Sequence, residues 1–138
     1  MKKICKKVIT TLLGMGMVIS MYSFAEGAQP DMVSAINVMN YEYCSIIAHK
    51  IHIFNKKEFA NLIVEMCKEN SFQTIKYATD VRDYPAGLYL SIYLNEKDFK
   101  QGNCYMEIKY ITPKYISSAN IKDDEEEYQL FIDGKLVK

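Results

Sequence analysis

Thiols and imidazoles are the groups in this sequence that are best suited to nucleophilic or metal chemistry. After residue 25 they belong to Cys44, Cys67, Cys104, His49 and His52; the fourth cysteine, Cys5, lies before it. A cysteine–histidine pair can make a nucleophile, but no recognisable motif or orienting group surrounds these residues. His49 and His52 lie three residues apart in a segment that alternates like a strand, so their side chains would point to opposite faces. No Cys/His spacing is typical of zinc, and we predict no metal and no cofactor.

The cysteines also bear on covalent structure. Three of them follow the predicted leader, which outside the cell would allow one disulfide and one remaining thiol. Cys67 falls on the apolar side of a predicted helix and Cys104 begins a predicted strand, so a bridge between these two is conceivable. The alternative is three small buried side chains, since cysteine packs well in cores.

Carboxylates supply the other candidate chemistry. Asp80 and Asp83 lie in a polar loop, 80–86, where they could serve a hydrolase. The acidic run 123–127 lacks the alternating spacing and the glycine of a calcium loop, which indicates a solvated connection. Nothing in the sequence brings Asp80, Asp83 or a Cys/His pair into one cleft. A small secreted hydrolase is therefore the second functional hypothesis.

The N-terminus predicts export. Four lysines precede an uncharged run at 8–24, and small residues lead to Ala25, as in a secretory signal peptide that is cleaved after Ala25. A retained membrane anchor is the alternative, but the run is short for a span and contains Thr, Ser and Gly. We predict a signal peptide at 1–25 and a single secreted α+β domain at 26–138, with no membrane contact after cleavage.

Charge narrows the range of partners. The 113 residues after position 25 suffice for one modest core. They contain 13 basic and 17 acidic residues, a net charge of −4. Nucleic-acid binding requires clustered Lys and Arg, so we predict no nucleic-acid partner. Heavy use of Lys, Ile, Asn and Tyr is typical of an AT-rich bacterial genome. Together with the lysine-rich leader, this composition indicates an exported bacterial protein.

One long helix, at about 55–70, organises the domain. Asn55 and Glu58 have the spacing of a capping box, and Asn70 suits a left-handed helix end. The apolar stripe that defines the helix comprises Phe59, Leu62, Ile63, Met66 and Cys67. The hydrophobic-staple positions hold Phe54 and Phe59.

Strands account for most of the remaining chain. Apolar steps of four and three predict a helix at 31–40, while 41–48 fits either helix or strand. Asn95 is predicted to cap a single helical turn. Alternation predicts strands at 49–53, 72–79, 87–94 and 104–111, and an Asp-Gly turn at 133–134 predicts a hairpin of 128–132 with 135–137. The expected fold is a two-layer α+β sandwich, in which one long helix packs on a mainly antiparallel sheet of four to five strands.

The sheet face away from the helix is the first candidate for function. If 87–94 and 104–111 are neighbours, that face is rich in tyrosine, which gives large contact area at small entropic cost. Strand propensity alone would also place tyrosine there. The predicted binding residues are Tyr89, Ser91, Tyr93, Tyr105, Glu107 and Lys109. We therefore predict a non-enzymatic binding module of the bacterial envelope or exterior, with an unknown protein, peptide or envelope component as partner.

Overall fold

The computed structural model describes residues 29–75, 84–116 and 118–138. The predicted leader and its cleavage site lie outside these ranges, as do Asp80, Asp83 and positions 76–79 of a predicted strand. Within the described ranges, no helix is long and apolar enough to cross a membrane.

A six-stranded sheet forms the centre of the domain, and its strands lie side by side in chain order. All neighbouring strands are antiparallel except β2 and β3, which are parallel and are connected through the long helix α1. The predicted α+β fold is confirmed, although the sheet has six strands rather than four to five. The strands are β1 (Asp31–Val38), β2 (Tyr41–Ile47), β3 (Gly87–Tyr93), β4 (Met106–Ile111), β5 (Gln129–Ile132) and β6 (Lys135–Leu136), and the long helix is α1 (Lys56–Glu69).

The predicted helix at 31–40 is wrong, because this segment is strand β1. It pairs with β2 as a hairpin through Met39 and Asn40, whose φ angles of 53° and 64° close the turn. A bulge between Met32 and Ser34 shifts the alternation, so apolar residues fall on both faces of the sheet. Their spacing therefore imitates a helical stripe. Pairing with β2 also decides 41–48 in favour of a strand.

The predicted strand at 49–53 is wrong as well. β2 ends at Ile47, and His49 has a φ of 57°, which interrupts an extended chain. The link to α1 is held by backbone bonds, from Ala48 to the Tyr93 carbonyl at 2.7 Å and from Lys50 to the Leu94 carbonyl at 3.1 Å. Of the predicted strand at 72–79, the described part is not a strand either. Its Thr74 instead donates through its backbone and hydroxyl groups to the Asp31 carboxylate.

Local chemistry explains the ends of α1. The Asn55 side chain accepts from the Glu58 backbone NH at 3.0 Å, and Asn70 closes the helix with a φ of 53°. The predicted staple is not formed, because Phe54 is 92% exposed and its ring contacts His52. The helix buries one face against the sheet, through Phe59, Ala60, Ile63, Val64 and Cys67.

The later elements follow the sequence closely. β3 agrees with the predicted 87–94 strand, and β4 begins two residues later than predicted. The predicted turn is the short helix α2 (Glu96–Gln101), which begins where the Asn95 side chain accepts from the Asp98 NH at 2.8 Å. β5 and β6 form the predicted hairpin, with positive φ at both Asp133 and Gly134 as a type I′ turn requires.

Candidate binding face

The sheet has one face against α1 and one turned away from it, here called the open face. Strand register arranges this face in rows that cross the strands at right angles. One row, the ridge, carries mostly large side chains: Ile36, Tyr43, Tyr89, Lys109, Phe131 and Leu136. The adjacent row, the trough, carries smaller ones and one carboxylate: Ser34, Ser45, Ser91 and Glu107. The face is therefore corrugated and uncharged across its first three strands.

Tyrosine rings pack together along and beside the ridge. Tyr43 and Tyr89 stack with centroids 4.7 Å apart, and the Tyr41 ring lies 5.6 Å from that of Tyr89. Tyr115, from the loop after β4, adds a ring 5.5 Å from Tyr41. Burial raises the pKa of both Tyr41 and Tyr89, and the neighbouring tyrosines add to the rise. These phenols consequently stay neutral at physiological pH.

Ring orientation limits what the face can bind. Tyr89 has Tyr43 stacked on it and the Lys109 ammonium 5.8 Å from its ring centroid. Its ring surfaces are therefore occupied by neighbours, and its edge and hydroxyl group are what an incoming molecule meets. Flat stacking of a sugar on Tyr89 would require these contacts to break, whereas side chains of a protein partner can pack against ring edges.

The open face is exposed and shallowly concave. Between ridge and trough, across β1 to β4, lies a depression of about 320 Å³. Large apolar side chains stand in solvent along the ridge and at the margin, including Ile36 at 60% exposure, Tyr43 at 43% and Met39 at 79%. At one end α2 limits the face, since Phe99 packs edge-on against Tyr93 with ring centroids 5.3 Å apart.

Four of the six predicted binding residues lie together on the open face. Tyr89 pairs with Lys109 and Ser91 with Glu107 across β3 and β4. Tyr93 lies at the end of the face, in contact with Phe99 of α2.

Tyr105 departs from the predicted set. Its hydroxyl lies 3.1 Å from His52 Nδ1, and Lys56 Nζ lies 5.2 Å from its ring centroid. Tyr105 therefore packs at the start of α1 rather than on the open face.

Four of the six ridge positions were not predicted from sequence. Ile36 lies where the sequence predicts a helix, and Tyr43 lies where it fits either helix or strand. Tyr115, beside the ridge, follows β4 in an irregular loop. The alternation of Tyr41, Tyr43 and Ser45 in β2 was the available signal. It was ambiguous because short segments rich in aromatic residues suit several structures.

The His52 imidazole and the exposed thiol of Cys104 have structural partners. His52 contacts Tyr105 and Phe54, while Cys104 Sγ lies 3.3 Å from the Met106 carbonyl oxygen and 3.6 Å from that of Ile92. Burial of the sulfur raises the pKa of the Cys104 thiol, which leaves less of the reactive thiolate at neutral pH. Among the described residues, no group of three or more His, Cys, Asp or Glu side chains could hold a metal ion.

Cys67 and Cys104 are not bonded to each other in this structure. Cys67 is buried near the end of α1, beside Lys68, which lies over Tyr110 in β4. Cys104 lies at the opposite end of that helix, since its neighbour Tyr105 contacts Lys56, the first residue of α1. About 16 Å of helix separates Lys56 from Cys67. A bridge requires Cα atoms within about 7 Å of each other, so this arrangement does not favour it.

No family model, curated protein or solved structure matches this chain. Function is therefore inferred from the open face itself.

Proposed function

We propose that this chain is an exported, non-enzymatic binding module of the bacterial envelope or cell exterior, and that its open face contacts a protein or peptide partner. The observation that carries this proposal is the exposed ridge. Large uncharged side chains lie side by side across neighbouring strands, where a monomeric sheet would ordinarily turn polar residues to water. The largest exposed apolar patch on a monomeric protein, roughly 300–600 Å², is often a functional surface.

Three features support a protein partner over other classes. The ridge is aromatic and aliphatic, a composition enriched in the centres of protein interfaces. Lys109 and Glu107 stand at one side of the uncharged area, where they can orient a partner. The Tyr89 ring is already covered by Tyr43 and Lys109, which leaves little ring surface for a sugar. The hydrolase alternative receives no comparable support, because His52 and Cys104 are engaged with separate partners.

Capture from the producing cell tests the proposal. The full-length sequence, with a C-terminal affinity tag, is expressed in an exporting bacterium, and the processed protein is used as bait for envelope and medium proteins. We expect the double substitution Tyr43→Ser with Tyr89→Ser to abolish specific capture, because it removes the centre of the ridge. Ile36→Glu, at a 60% exposed edge position, should weaken capture with less risk to folding.

Phe54→Ser is the matched control, since it removes an apolar side chain that is 92% exposed but lies outside the open face. It should leave capture unchanged. Circular dichroism and the midpoint of thermal unfolding establish that each variant is folded. If folded Ile36→Glu and the folded double variant retain full capture, the open face is not the binding site and the proposal fails.

A further inference from the structure

We propose that the occupant of the open face is a second copy of this chain, packed face to face about a two-fold axis that runs across the strands between the ridge and the trough. This inference rests on the proposed function, which assigns binding to the same face, and it names the partner. It follows from the order of large, small and charged side chains in the two rows.

Across β1 to β4, the two rows are complementary to each other, position by position. A two-fold axis between them places the ridge of one copy over the trough of the other, strand upon the same strand. Ile36 then lies over Ser34 of the second copy, Tyr43 over Ser45 and Tyr89 over Ser91. Each contact sets a large side chain against a small one, and each occurs twice, as an isologous interface requires. The paired positions share registered strands: Ser34 and Ile36 on β1, Ser45 and Tyr43 on β2, Ser91 and Tyr89 on β3.

The charged residues of the two rows are also paired by this two-fold axis. On β4 the ridge position is Lys109 and the trough position is Glu107. The axis that sets tyrosine over serine also sets Lys109 of each copy over Glu107 of the other, which gives two reciprocal ion pairs. Neither side chain forms an ion pair within the described part of the chain, so both charges are available. Opposite charges at matching positions fix the register of an interface and exclude others.

Other two-fold arrangements give poorer complementarity of side-chain size and charge. An axis parallel to the strands places ridge over ridge, so tyrosines meet tyrosines and hold the sheets apart. An axis along the ridge itself brings Lys109 over Lys109 of the second copy. Packed sheets lie about 10 Å apart, a distance that large-against-small contacts satisfy and tyrosine-against-tyrosine contacts exceed. Of these arrangements, the axis between the two rows alone satisfies both size and charge.

The area and the hydrogen-bonding groups of the open face are also compatible with a dimer interface. Four strands about 4.8 Å apart, each contributing two rows and a margin, give a footprint of roughly 300 Å², to which the ridge residues of β5 and β6 add. Exposed marginal residues such as Met39, Val38 and Tyr115 extend it towards the roughly 800 Å² per partner of a stable interface. Within the described ranges the hydroxyls of Ser45 and Ser91 make no hydrogen bond, so they can accept or donate across the interface.

Charge reversal tests this geometry directly. Tagged and untagged full-length chains are produced in the exporting host, and self-association of the processed protein is measured by sedimentation velocity over a range of concentrations. We expect the wild-type chain to dimerise. Lys109→Glu and Glu107→Lys should each weaken dimerisation at least tenfold, because each places like charges together twice.

An equimolar mixture of the two variants should then recover dimerisation. In each mixed pair one chain carries carboxylates at both positions and the other carries ammonium groups at both, which restores attraction at the two contacts. Lys57→Glu, an exposed substitution of equal charge change on α1, is the control and should leave dimerisation unchanged. Because all three substitutions lie on exposed or half-exposed positions, circular dichroism should show native folds.

The outcomes separate this inference from the proposed function. A wild-type dimer whose single variants dissociate and whose mixture reassociates establishes the two-fold packing. If these substitutions leave dimerisation unchanged, or if the mixture stays monomeric, the two-fold packing is wrong. A wild-type chain that stays monomeric at all soluble concentrations also overturns the two-fold packing. The proposed function then stands if capture of another protein still depends on Tyr43 and Tyr89. If capture does not depend on them, the proposed function fails as well.

Discussion

At the scale of single residues, Asp133 connects a tight turn to the sheet and to α1. Its carboxylate accepts from the Glu107 backbone NH at 2.9 Å and from Lys56 Nζ at 2.9 Å. Burial alone would raise the pKa of this carboxyl, but the two donors outweigh burial and hold the pKa below its ordinary value. The charged form is thus favoured in the folded chain.

Asp133→Asn should therefore reduce stability in a pH-dependent way. Asparagine also suits the positive φ of this turn, so the substitution removes the charge without straining the backbone. Because the folded pKa is depressed, the contribution of Asp133 is fully present above the unfolded pKa of about 4 and is lost as pH falls through the lower folded pKa. With the side chain partly exposed and screened, we expect a loss of about 0.5 kcal/mol at pH 7.

Urea unfolding at pH 7 and at pH 2.5 measures this difference. The gap between wild type and Asp133→Asn should be present at pH 7 and smaller at pH 2.5. Glu126→Gln, an exposed substitution in the turn before β5, should show no gap at either pH. A gap that grows towards low pH would contradict the assigned role of the carboxylate.

Residue types with local hydrogen-bonding roles were predictable from sequence. Asn55, Asn70, Asn95 and the Asp133-Gly134 turn act within three or four residues of themselves, so neighbouring sequence suffices to assign them. The environment of Phe54 was not predictable. Its exposure depends on where the irregular link from β2 runs, which is a tertiary property.

At the scale of elements, α1 lies on the connection between the two halves of the sheet, which crosses from β2 to the parallel strand β3. Its first turn is closed by the Asn55 side chain. Asn55→Ala should reduce the free energy of unfolding by about 1 kcal/mol, since it leaves an NH group of the first turn without its acceptor. Chemical denaturation monitored by circular dichroism measures this loss.

Asn55→Asp is the matched control, because aspartate caps equally well and its charge favours a helix N-terminus. It should match or exceed the wild-type stability. Equal losses in the alanine and aspartate variants would show that the cap contributes through another contact.

Element prediction succeeded where one face of a strand was buried and the other was not. β3 and β4 alternate cleanly between the core and the open face, so their periodicity of two was visible. β1 carries apolar residues on both faces and a bulge, which removed that periodicity. The parallel pairing of β2 with β3 has no local signal at all, because register between distant strands depends on the packing of the whole sheet.

At the scale of the whole molecule, that pairing creates the open face. Tyr89, Ser91, Glu107 and Lys109 could be predicted because they lie on two strands adjacent in sequence. The ridge becomes continuous only when the β1–β2 hairpin is placed beside β3, which brings Tyr43 onto Tyr89 and Ile36 beyond it. Sequence patterns thus predicted a tyrosine-rich patch, and the fold extends it into two complementary rows.

Thiol accessibility tests the fold and the processing of the chain together. Cys44 and Cys67 are buried, whereas Cys104 is exposed. We expect an aromatic disulfide reagent to modify one thiol per native molecule and three per molecule in denaturant without reductant. Since burial raises the pKa of Cys104, native labelling should be slow at pH 7 and should accelerate as rising pH increases the thiolate fraction.

A retained leader and a disulfide bridge would each change the number of reactive thiols. Retention of the leader adds Cys5, so four thiols would react in denaturant while all remain reduced. A bridge between Cys67 and Cys104 would leave no reactive thiol in the native protein and one, Cys44, in denaturant. When the count in denaturant is three, two or more reactive thiols in the native protein would contradict the buried positions of Cys44 and Cys67, and with them the packing of α1 on the sheet. Because Cys67 lies on the face of α1 that contacts the sheet, its protection reports directly on the layer that leaves the opposite face open.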